Sequence, residues 1–238
     1  MKVLIAGATG TIGSEALLHC LDNPQVTSVV AFARRPLAKD AQENTKLTTV
    51  LMEDFGEWPE DRLESVKDAD AMIWALGTLD GDTTANLDYP MAFMSSFVRI
   101  LQNKTALGSE GSEALSKFRF VYLSGQMVET DQSKGLHLIS AARKIKSVFE
   151  TEAIKFTEKH NELWQTLIVR PGGVLPKDTI ATSVLGLVIG KNWSIRVEEL
   201  GSFLAHLAVH GSKHRTFFEN EDILNKAQQL RQGRDTSG

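Results

Sequence analysis

Val3-Leu4-Ile5-Ala6-Gly7-Ala8-Thr9-Gly10-Thr11-Ile12-Gly13 stands at the head of the chain and decides how the rest is read. Four apolar residues in a row form a strand buried on both faces, and residues 12–21 return to the spacing of an amphipathic helix. Between them three glycines recur at every third position. Gly7 permits the tight turn out of the strand, Gly10 leaves room for a pyrophosphate against the backbone, and Gly13 lets helix and strand pack closely. Thr9, Thr11 and Ile12 fill the turn between the glycines, where free amides and the helix dipole attract phosphate. A glycine-rich turn alone is weak, but strand, turn and helix in this order predict dinucleotide binding.

The same rhythm continues outward. Residues 28–33, 48–52, 71–76, 120–123 and 166–169 read as further buried strands, and residues 60–66, 89–103 and 141–159 as helices. Near-continuous apolar strands alternating with helices predict an α/β fold with a doubly wound parallel sheet. Residues 103–116 read as a solvent loop. Pro171-Gly172-Gly173 breaks the rhythm, so residues 1–170 are taken as a nucleotide-binding core and 171–238 as a small C-terminal substrate lobe within one structural domain. That lobe should hold a helix over 198–210, a strand over 216–218 and a last helix capped by Asn220. Its apolar stretch 180–189 hints at a hydrophobic substrate.

Arg34 and Arg35 follow the second strand, where an acidic residue would bond the ribose of NAD. Guanidinium groups there suit the 2′-phosphate of NADP(H), with a solvated basic turn as the plain alternative. GATGTIG followed by paired arginines resembles the atypical and extended short-chain dehydrogenase/reductase superfamily, near its NmrA-like members. The resemblance implies a Rossmann fold and an oxidoreductase using NADP(H). It assigns Asp54 and Phe55, after the third strand, to the adenine. It places Ala75, Leu76 and Gly77 along the ribose and phosphates, and the Pro171-Gly172-Gly173-Val174 turn near the nicotinamide. Ser124, at the end of the fifth strand, matches the family's catalytic serine.

The family's chemistry also uses a tyrosine as proton donor, with a lysine four residues later that lowers the phenol pKa and holds the ribose. Lys146 matches the lysine, and Ala142 stands where the tyrosine belongs. An alternative register, Ser140 with Lys144, supplies a poorer acid. Tyr122 reads as core packing, and Tyr89 could overhang the cofactor. His137 either replaces the missing acid or is a surface histidine. Two classes of function follow: a reductase with a substitute proton source, or a non-redox isomerase, cyclase or cofactor-sensing regulator. His206, His210 and His214 recur every four residues without a completing carboxylate or cysteine, so no metal site is expected.

Composition narrows the rest. The 238 residues are 42% hydrophobic and 24% charged, with a net charge of −4, which excludes a disordered or fibrous chain. A mildly acidic chain argues against nucleic acid as a partner. Cys20 is the one cysteine, so no internal disulfide forms. The apolar runs are too short to cross a membrane. The expected partner is a small-molecule substrate, the protein a monomer or homodimer, and the compartment the cytoplasm.

Overall fold

Strand β1 (Lys2–Ala6) carries Val3 and Ile5 on one face and Leu4 and Ala6 on the other, all fully buried. Such a strand has to lie in the middle of a sheet covered on both sides. In the computed structural model, which describes residues 1–107, 116–125, 136–177 and 194–235, it does. β1 pairs in parallel with β2 (Ser28–Ala33) and with β4 (Ala71–Trp74). β3 (Leu47–Leu51) lies outside β2, and β5 (Phe118–Leu123), β6 (Trp164–Arg170) and β9 (Phe217–Glu219) extend the sheet beyond β4. The order β3-β2-β1-β4-β5-β6-β9 is that of a Rossmann sheet, and the reversal between β1 and β4 opens a crevice at their carboxyl ends.

The period-two alternation divides the core into two layers of different character. On one face Val3, Ile5, Val29, Ile73, Val121 and Leu167 pack beneath α1 (Thr11–Asp22) and α6 (Val197–His210). On the other, Trp74, Phe120 and Tyr122 meet Phe93 and Phe97 of α4 (Tyr89–Leu107) and Phe149 of α5 (Leu136–Lys159). Phe93 stacks on Phe97 at 5.3 Å, and Trp58 approaches Phe93 edge-on at 4.9 Å, near the short α3 (Glu60–Glu64). Burial in the aliphatic layer pushes the Cys20 thiol up to about 12, so it stays protonated.

The residues read as a small C-terminal lobe of the same domain complete this body. β9 is the seventh strand of the main sheet, and α6 lies directly on α1. A Cβ at Gly201 would stand 2.7 Å from Glu15 Cβ, so glycine permits the close approach of those helices. Arg119 of β5 donates to the carbonyls of Ala208 and Val209 and caps the carboxyl end of α6. α7 (Asn220–Asp235) follows β9 directly. Among the described residues, the short parallel pair β7 (Gly173–Leu175) and β8 (Ser194–Arg196) stands apart from the main sheet. The remaining short element is α2 (Lys39–Gln42). Residues 180–189, read as substrate-facing, lie outside the described residues.

Candidate active site

The turn after β1 is built as its glycines require. Gly7 has φ +88°, and a Cβ on it would stand 2.5 Å from the Ala75 carbonyl carbon. A Cβ on Gly13 would stand 2.1 Å from the Gly7 carbonyl oxygen, so α1 and β1 touch backbone to backbone there. Gly10 differs: its φ is −86°, and an added Cβ would meet only the Gly7 oxygen at 3.3 Å. No side chain caps α1, so the first amides of the helix face open space above Gly10. That cradle, which a side chain would fill, fits a pyrophosphate.

A cleft of about 640 Å³ opens here, walled by residues 10–13, 75–79, 123–125 and 171–174 together with Arg143 and Lys146. The structure thus brings Gly10, Thr11, Ile12, Gly13, Ala75, Leu76, Gly77, Ser124, Lys146, Pro171, Gly172, Gly173 and Val174 to one crevice. Gly7 acts behind the wall by making the turn. Thr9, Arg34 and Arg35 are exposed and lie off the cleft lining. Asp54 accepts the Gly56 amide at 2.7 Å and sits beside Tyr89, whose phenol is pushed up by burial and by the Asp54 carboxylate. Arg34 acts on the same phenol, so Arg34, Asp54 and Tyr89 share one rim. Phe55 is not brought into the cleft. Its ring is 1% exposed and packs against Trp58, Trp74 and Tyr89.

The strip 75–79 is held by a residue that sequence reasoning missed. Asn86 lies in a π-helical turn (Thr84–Asp88) and is 1% exposed. Its Oδ1 accepts the Thr78 amide at 3.1 Å, and its Nδ2 donates to Thr78 Oγ1 at 3.1 Å and to the Asp82 carbonyl at 2.8 Å. Tyr122 donates to the Asn86 carbonyl at 3.4 Å and stacks near Phe149 at 4.2 Å, so it is a core residue. An asparagine between Ala85 and Leu87, at the mouth of an apolar helix, was the available signal.

Ser124 ends β5 with its amide donated to the Val169 carbonyl at 2.8 Å, leaving its hydroxyl at the cleft wall. Across the cleft, Lys146 Nζ would stand 3.9 Å from a Cβ on Gly77. Burial lowers the Lys146 pKa, and the Glu150 carboxylate one helical turn on opposes that shift. Glu150 is 6% exposed and bound by Arg170 through Nε at 3.1 Å and a second nitrogen at 2.5 Å. Arg170 also reaches Glu219 at 2.8 Å and lies 4.4 Å over the Phe217 ring. The turn 171–174 is fixed by Asn220, whose Oδ1 accepts the Gly172 amide at 2.8 Å. The side chains of His137, Ser140 and Ala142 lie outside the described residues, although α5 runs through these positions. His206 and His210 sit with ring centroids 4.5 Å apart, and His214 falls beyond Gly211, where α6 has ended.

Solved structures share this architecture over nearly the whole chain. A short-chain dehydrogenase/reductase of Saccharomyces cerevisiae, YIR035C, superposes with a TM-score of 0.67 at 14% identity, covering 93% of this chain and 96% of that one. The chain has the short-chain dehydrogenase/reductase fold. A second protein of that fold, a short chain dehydrogenase from Burkholderia cenocepacia in complex with NADP, gives a TM-score of 0.61 at 14% identity, covering 98% of this chain and 91% of that one. The yeast methylglyoxal/isovaleraldehyde reductase Gre2, complexed with NADPH, gives 0.57 at 13%, covering 92% and 77%. No family model matches the sequence. Among curated proteins the short-chain dehydrogenase/reductase-fold chain resembles "Protein fmp52, mitochondrial" of Emericella nidulans, 25% identical over 146 residues, 56% of this chain and 61% of that protein. Its counterpart in Aspergillus fumigatus is 36% identical over 78 residues, 32% of this chain and 33% of that one. The matched stretch therefore spans less than two thirds of those relatives. Their names overturn the expectation of a cytoplasmic protein and point to mitochondria. A compartment address is read by receptors, so the composition of a folded core holds no record of it.

Proposed function

We propose that the protein is an NADP(H)-dependent oxidoreductase that reduces a carbonyl group on a small organic substrate. The observation that carries this reading is the convergence of Ser124 and Lys146 on the cleft that begins at the phosphate-binding turn. The solved neighbours of the same fold that are complexed with NADP or NADPH support it. The bound nicotinamide would supply hydride. Residues 10–13 hold the pyrophosphate by backbone amides, and Arg34 and Arg35 pair with the 2′-phosphate at the exposed rim. The Ser124 hydroxyl donates to the substrate oxygen and orients it. Lys146 Nζ, whose pKa burial lowers, holds the ribose and replenishes the proton at that oxygen.

Ala142, in the place of the family's tyrosine, favours a second reading: a non-redox isomerase, cyclase or cofactor-sensing regulator in which the same cleft binds the dinucleotide without turnover. One experiment separates the two. Calorimetry with NADPH and NADH, followed by NADPH oxidation over a panel of aldehydes and ketones, should show preference for NADPH and turnover of some carbonyls. Replacing Arg34 and Arg35 together with Ala should weaken NADPH by about 10²-fold and barely change NADH. Equal affinity for the two dinucleotides in the wild type overturns the cofactor assignment. Tight NADPH binding with no turnover favours the non-redox reading.

A further inference from the structure

The cleft contains a cation that nothing described so far uses. Arg143 lines it three residues before Lys146, and its guanidinium has no acidic partner among the described residues. Among the described residues that line the cleft none is a carboxylate, and Arg143 and Lys146 bring it two cations. Lys146 at least has Glu150 nearby; Arg143 does not. The spacing 143, 146, 150 places all three on one face of α5. Glu150 is anchored to the sheet by Arg170, Lys146 lies one turn above it, and Arg143 one turn higher, at the mouth. Leu76, Leu79, Leu123 and Val174 give the same cleft apolar wall, and Leu79 is 71% exposed.

A cationic fork beside apolar walls selects a particular kind of molecule. We propose that Arg143 is a specificity residue that binds an anionic group, carboxylate or phosphate, on the end of the substrate remote from its carbonyl. The guanidinium presents paired N–H donors matched to either oxyanion, and the apolar rim takes the carbon chain between. The cofactor pyrophosphate has its own donors in residues 10–13, which leaves Arg143 for the substrate. This inference names the substrate class for the reductase reading above and rests on it.

The test needs binding as well as turnover. Levulinate is compared with levulinamide, and dihydroxyacetone phosphate with dihydroxyacetone, on the full chain saturated with NADP⁺, by calorimetry. In the wild type one anionic member should bind about 10-fold tighter than its neutral partner. Arg143→Ala should erase that gap, Arg143→Lys should keep part of it, and NADPH affinity should stay within about twofold. The pair that shows the gap tells carboxylate from phosphate. No gap in either pair, or a gap that survives Arg143→Ala, overturns the proposal. A drop in NADPH affinity in Arg143→Ala without loss of the gap assigns the arginine to the cofactor and also overturns it. An Arg143-dependent gap with no NADPH oxidation by any of the four ketones favours the non-redox reading while the anion site stands.

Discussion

Gly10 and Gly13 lie three residues apart in the same turn, yet their substitution should have opposite signatures. At Gly13 a methyl carbon would arrive 2.1 Å from the Gly7 carbonyl oxygen and 2.7 Å from its carbon, both backbone atoms that cannot rotate away. Gly13→Ala therefore forces α1 off β1. Overpacking of this kind costs about 3 kcal/mol. In a chain of this size that corresponds to about 6–12 °C in Tm. At Gly10 the backbone already has φ −86°, open to any residue, and a Cβ would press on the Gly7 carbonyl oxygen at 3.3 Å, a tight contact that a shift of a few tenths of an ångström relieves. Gly10→Val should cost the fold only about 1 kcal/mol, the difference between glycine and a branched residue at a helix N-cap. Its side chain instead occupies the cradle. Loss of two charge-assisted amide bonds to phosphate weakens NADPH by about 3 kcal/mol, a factor of about 10². Thermal melts and NADPH titrations of both variants settle the matter. If Gly10→Val melts as low as Gly13→Ala, or still binds NADPH as the wild type does, the geometry assigned to the turn is wrong.

Ala142→Tyr restores a phenol one turn before Lys146, and any latent carbonyl reductase activity should rise by about 10²-fold or more. It should not rise if His137 already supplies the proton, in which case His137→Ala lowers the wild-type rate; NADPH oxidation by all three proteins decides. Glu150→Gln removes the charge that opposes the lowering of the Lys146 pKa, so the alkaline limb of the pH–rate profile should move to lower pH. An unmoved limb would show that Lys146 does not titrate in the reaction. Burial lowers the His206 pKa from 6.5 to about 4, so its neutral form favours the fold above 6.5 and that contribution is lost as pH falls toward 4. His206→Gln should therefore lose less Tm than the wild type between those two pH values.

The sheet was legible because its central strands are buried on both faces, so their sequences are apolar at every position and stand out from the helices between them. β7 and β8 were not: three residues each, paired with partners 21 positions away, carry no periodicity of their own. The body formed by α1 and α6 was missed for a similar reason. Gly201 inside a helix marked a close approach, but the sequence does not say which neighbour comes close. In the site, the phosphate turn and Ser124 could be placed by their positions at strand ends. Phe55 was assigned to the cofactor by family resemblance, whereas its ring is buried in the aromatic layer. Asn86 acts through Thr78, eight residues before it, and Arg143 lies at a cleft whose other walls come from distant parts of the chain; both placements exist only once the chain is folded.

The unequal chemistry of the two layers also decides what the three described tryptophans can report by light. Trp58, Trp74 and Trp164 all belong to the aromatic layer, as does buried Tyr122, while the layer between α1 and α6 holds none of them. Near-ultraviolet dichroism and intrinsic emission from these residues thus follow the packing of α4 and α5 on the sheet. Loosening of the opposite side, where the phosphate turn is rooted, would leave these signals almost unchanged. Amide exchange at residues 13–21 and 200–209 is the probe that would see it.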